Sequence, residues 1–149
     1  MIEPEYITEQ IKGLCAYLGE FPDIGVYDPT GYSPDYAEGA VIVRTPMAAR
    51  PSLVIAVRLI ATEPPDPNIG MVHVSYQIAY RGTKDPDEAV TKMGLIASKL
   101  HEKAGLALGR TRASLITAGA LADLDPDLNG QHEFTQSFRV RGTGRLDTE

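Results

Sequence analysis

The chain has 149 residues, of which 43% are hydrophobic, 23% charged and 7% aromatic. That length suits one domain with its own core, and the composition excludes a disordered chain, a collagen and a coiled-coil rod. Twenty acids against 14 lysines and arginines leave a net charge of -6, and no lysine- and arginine-rich stripe with interleaved aromatics marks a specific nucleic-acid reader.

The first predicted element is a helix. Ile7, Ile11, Leu14, Cys15 and Leu18 recur at steps of three and four, which puts them on one face, and Gly19 supplies a stop. Glu3, Glu5 and Glu9 sit near its positive end. Residues 20–39 are rich in Pro, Gly, Asp and Tyr and read as a long irregular connection, in which Tyr27, Tyr32 and Tyr36 either cover a core edge or dock a neighbour. Three strands are predicted next, over 40–45, 52–62 and 71–81. The second is apolar almost throughout, as expected of a central strand buried on both faces. The third alternates, with Val72, Val74, Tyr76, Ile78 and Tyr80 on one face and His73, Ser75, Gln77 and Arg81 on the other. Short turn-rich links between the three suggest an antiparallel meander.

A second helix is predicted after Asp85, with Pro86 at its first position, Glu88 completing a capping pattern, and Gly105 as its stop. Its apolar stripe is Ala89, Val90, Met93, Ile96, Ala97 and Leu100. Strands over 112–118 and 133–141 follow, separated by the turn-rich DLDPDLNG. Gln136 interrupts the apolar face of the last strand, so its burial is partial or hydrogen-bonded. The order helix, three strands, helix, two strands predicts a single α+β domain over 1–149, mainly an antiparallel sheet with two helices packed on it, a long loop at 20–39 and a flexible tail at 142–149. No apolar run reaches the ~20 residues of a membrane span, and MIEPEYITEQ lacks the features of a signal peptide. The single Cys15 leaves no internal disulfide and suits a reducing compartment.

Chemistry-bearing motifs are sparse. GRTRAS and GTGR do not open helices and do not read as phosphate loops. His73, His101, His132 and Cys15 share no zinc spacing, and no serine sits in a nucleophile elbow. Asp123, Asp125, Asp127 and Asn129 alternate like the start of a calcium loop. The glycine falls in the wrong place, Pro126 stiffens the middle and Phe134 stands where the closing glutamate belongs, so a capped turn is the better reading. The expectation is therefore no catalytic residue, no cofactor and no metal. A small α+β enzyme or ligand-binding domain remains the alternative, with a polar pocket around His73, Gln77 and Arg81.

The combination of segments resembles a known family. The N-terminal helix is followed by GEFPDIGVYDP. Then come the strand SYQIAYRG ending in Arg81-Gly82, the helix of TKDPDEAVTKMGLIASKLHEK, and the closing DLDPDLNGQHEFTQSFRVRG. This order resembles the tail terminator (minor capsid or tail-completion) proteins of long-tailed bacteriophages. The resemblance implies a structural, non-enzymatic virion protein, made in the host cytoplasm and located in the neck region of the tail. It would form a ring, commonly hexameric, that stops tube polymerisation. Its implied partners are copies of itself, the tail tube protein and a head-completion or neck protein, with no membrane. DNA would pass through the channel without specific binding. A head-tail stopper is the neighbouring alternative.

Charge distribution supplies a candidate for the ring contact. Residues 1–38 hold eight acids against Lys12, whereas 39–84 hold five bases against Glu63 and Asp66. That polarity serves either contacts between copies or ordinary solvated faces. Arg58 and Arg81 are the arginines that would meet a neighbour's acidic third. Met47, Arg50, Pro65, Ile69 and Met71 stand at strand connections, where an exposed side chain could meet the tube.

Overall fold

A computed structural model of the protein describes residues 2–27, 40–44, 53–63, 70–124, 126 and 130–147. Helix α1 spans Tyr6–Gly19 and buries Ile11, Leu14, Cys15 and Leu18 as the periodicity requires. Tyr6 and Gln10 join that buried face, while Ile7 lies at its margin. Helix α2 spans Pro86–Leu100, and the Asp85 side chain accepts the Asp87 N–H at 3.0 Å as its N-cap. Glu88 does not close a capping box. Its carboxylate accepts the Thr83 N–H at 2.8 Å and the Tyr80 hydroxyl at 2.7 Å, which pins the helix start to the sheet. The helix stops at Leu100, before Gly105, because His101 is already extended and Glu102 adopts a φ of 61°.

The described residues form eight strands where five were predicted. They are β1 (Gly25–Tyr27), β2 (Ala40–Val43), β3 (Val54–Glu63), β4 (Val72–Arg81), β5 (Leu106–Leu108), β6 (Thr111–Ala113), β7 (Leu115–Leu124) and β8 (Glu133–Gly142). Six form one sheet in the order β1-β2-β3-β4-β8-β7, and β5 and β6 form a separate hairpin. The class is α+β with two helices, as expected, but the meander is not. β1, β2 and β3 run parallel, and only from β3 to β4, β8 and β7 is the sheet antiparallel. Strand direction leaves no mark on an apolar run as short as AVIV. All four of its residues are buried, which suits a parallel strand covered on both faces. β1 lies within the stretch expected to be irregular. Residues 28–39 of that stretch, with Tyr32 and Tyr36, are outside the described residues, as are the links 45–52 and 64–69.

Both helices lie on one face of the sheet. Their core is built from Val74, Tyr76, Ile78 and Tyr80 of β4 with Phe134, Phe138 and Val140 of β8. The opposite face carries a smaller cluster, Val41, Val43, Val54 and Ala56 with Ala79, and then the polar side chains of β4 and β8. Gln136 keeps its hydrogen bond, donating to the Gly119 carbonyl at 2.8 Å where β7 bulges between Ala118 and Leu121. The C-terminal segment expected as a flexible tail is tied down through Asp147. The Glu3 N–H donates to the Gly144 carbonyl at 2.8 Å, and the Asp147 N–H donates to the Arg110 carbonyl at 2.6 Å.

Candidate subunit interface

Two long strands, β3 and β7, are paired by described residues along only part of their outer edges. β2 pairs with Val54–Ala56 of β3 and goes no further, and every β3 residue from 58 to 63 is exposed. This differs from the expected strand buried throughout. SLVIAVRLIAT is apolar enough for a core strand, but its neighbour β2 has four residues against its ten. On the other margin, the segment after α2 covers the start of β7. The Ile116 N–H donates to the Lys103 carbonyl at 3.0 Å, and the Ala118 N–H donates to His101 Nδ1 at 3.0 Å. From 119 to 124 β7 is exposed, and no described residue pairs with its outer side. An open edge offers unpaired N–H and C=O groups to another strand.

Apolar exposure concentrates at the same two places. Leu59, Ile60, Leu121 and Leu124 are each 42–48% exposed, leaving only Val26 and Val90 as exposed large hydrophobics elsewhere among the described residues. Charge marks the two edges differently. Arg58 is exposed at the root of the free part of β3, and Arg44, also exposed, follows the last residue of β2 beside it. Asp123 lies near the tip of β7. At the far end of β3, Glu63 is already engaged. Arg139 Nη2 donates to its carboxylate at 2.6 Å, and His73 Nδ1 stands 3.7 Å from the same oxygen.

The other sequence candidates are scattered. Arg81 is only 8% exposed, at a register position between Val54 and Glu133, so its side chain belongs to the interior of the subunit. Met71 is half-buried just before β4. Met47, Arg50, Pro65 and Ile69 lie outside the described residues, as do Asp125, Asp127 and Asn129 of the acidic run. Leu59, Ile60, Leu121 and Leu124 were missed. Leu124 falls in the turn-rich DLDPDLNG and Leu121 lies between it and the strand predicted to end at 118, and the surplus length of β3 is visible only by comparison with β2.

The ionisable groups of the interior are structural in placement. The Tyr76 hydroxyl donates to Gln10 Oε1 at 2.6 Å, and Gln10 Nε2 donates to the Tyr6 hydroxyl at 3.0 Å. Burial raises the pKa of both tyrosines and pushes the Cys15 thiol up to about 12, which keeps it protonated and unreactive. Burial lowers the pKa of Lys92, whose ammonium donates to the carbonyls of Asp23 and Ile24 and so ties α2 to the end of the first turn. His73, Gln77 and Arg81 are strung along one strand. Their ends are roughly 26 Å apart at the rise of an extended chain, so they do not converge on a substrate. Among the described residues no group of three or more His, Cys, Asp or Glu could hold a metal ion.

No family model matches the chain, and no curated protein does. A solved structure does: a chain in the virion of a native gene transfer agent particle, at 13% identity and a TM-score of 0.53, over 68% of this chain and 77% of that one. The likeness is one of fold. It covers about two-thirds of the chain.

Proposed function

We propose that this protein is a structural component of a phage-like virion that closes the head-proximal end of the tail tube as a ring, hexameric in the usual case. The observation that carries this reading is the fold it shares with a chain of a gene transfer agent virion, which agrees with the tail-terminator pattern of the sequence. The work is done by shape, with no bond made or broken. A ring needs two different surfaces on each subunit that complement each other and close. The outer edges of β3 and β7, which the described residues pair only in part, are two such different surfaces on either side of one sheet. Ending a tube requires one face that fits the last tube ring and another that refuses a further tube subunit. The partners are the tail tube protein on one side and a head-completion or neck protein on the other. DNA passes through the channel without a specific grip, which suits the net charge of -6.

Depletion of the protein during particle growth, followed by electron microscopy of the tails, tests the reading. A tail terminator predicts tails far beyond normal length. Tails of normal length detached from heads identify a head-tail stopper instead, and normal particles overturn both.

A further inference from the structure

We propose that copies of this chain join by strand addition: the free part of β3 (58–63) in one copy pairs antiparallel with the free part of β7 (119–124) in the next. The proposal rests on the ring reading above and names the contact that builds it. β3 and β7 run in opposite directions within the sheet, so the margin of one copy meets the margin of the next in antiparallel sense with the helices on the same side. The two free parts are six residues each. One contact of this kind satisfies both open edges, whereas pairing of either strand with its own counterpart leaves the other edge bare.

Charge favours the same arrangement. Antiparallel addition carries the tip of β7, with the exposed Asp123, to the root of the free β3 edge where Arg44 and Arg58 stand. On the helix side, Leu59 and Leu121 share a face, because they sit opposite Tyr76 and Gln136 in the ladder. Overlaying the two free parts sets Leu59 across from Asp123 and Leu121 across from Thr62, so the two exposed leucines become diagonal neighbours on that face.

The offset between the free parts leads to closure. The middle of 58–63 is level with Arg139 of β8, and the middle of 119–124 is level with Thr135, four residues lower. Joining them shifts each copy by roughly 13 Å along its strands for every four strands, a width of roughly 19 Å. Without a tilt, this shift would build a staircase. A ring therefore needs strands inclined by about 35° to its axis, the range in which closed sheets are found.

Disulfide trapping between copies tests the joint. Leu59→Cys and Asp123→Cys are made separately in the full chain. Both positions are exposed, so folding is retained, and Cys15, fully buried, does not compete. Each variant alone and an equal mixture are oxidised as purified protein and within growing particles, which also reads a chain that assembles only on its template. The expected result is a disulfide dimer in the mixture and none in either variant alone. Dimers from one variant by itself show like-with-like pairing and overturn the proposal, as does the absence of a mixed dimer from both preparations. If tails keep their normal length on depletion but the mixed dimer forms, the joint stands and the tail reading falls; overlong tails without a mixed dimer leave the tail reading without this joint.

Discussion

Cys15, Tyr6, Tyr76 and Tyr80 hold their protons because burial disfavours their anions, and the Tyr80 hydroxyl also donates to Glu88. Each is an acid whose folded-state pKa lies above its unfolded one. The folded state therefore keeps its full stability below the unfolded values, 9.0 for the thiol and 10.0 for the phenols, and loses it as pH rises past them. We expect denaturant midpoints to be flat up to about pH 9 and then to fall steeply. Tyrosinate absorbance should appear together with unfolding rather than before it. Tyrosines that ionise freely in the folded protein would contradict this placement. The periodicity of α1 put Cys15 on the buried stripe. It could not bury Gln10, because the Tyr76 hydroxyl that satisfies it is 66 residues away in the chain.

At the scale of elements, the contact between α1 and the β5–β6 hairpin is set by two glycines. A Cβ at Gly13 would run into the backbone of Leu108 and Gly109, and one at Gly109, which has a φ of 61°, would stand 2.7 Å from the Glu9 carbonyl. In an open helix, Gly→Ala gains up to about 1 kcal/mol. At Gly13 the obstacle is backbone that cannot step aside, and overpacking of this kind costs about 1–3 kcal/mol. Gly13→Ala should therefore destabilise the fold, read as a lower urea midpoint with an unchanged slope; a raised midpoint would show that the hairpin yields. Both helices were legible in the sequence, through the stripe of α1 and the Asp85-Pro86 start of α2. The hairpin was not, because its strands of three residues each carry no period. Nor was the break between β6 and β7, where Ser114 leaves one strand and its N–H donates to the Arg141 carbonyl at 2.7 Å.

Across the whole molecule, the arginines of the central strands separate by burial. Arg58 is exposed at the root of an open edge, Arg81 is enclosed, and Lys12 is exposed on α1. In the proposed ring, Arg58→Glu should shift native mass spectra from rings towards monomers, while Lys12→Glu should leave the distribution unchanged. Equal ring populations for both would remove Arg58 from the contact. Arg81→Glu reads a different property, because a charge reversed in the interior disturbs folding before it disturbs assembly.

Local rules alone determined the elements whose pattern repeats within a few residues: two amphipathic helices, the alternating β4 and β8, and hence an α+β domain. Helical and strand periods are properties of neighbouring residues, so they survive in the sequence. Tertiary structure decided what depends on distant partners: the parallel run from β1 to β3, the anchoring of the C-terminal segment on Glu3 and Arg110, and the side chains left uncovered. Leu59 and Val57 are both apolar and two residues apart on one strand. One is 43% exposed and the other fully buried, only because the packing around them stops between the two. Exposure of an apolar residue is a statement about its neighbours in space, and no pattern in the chain itself contains it.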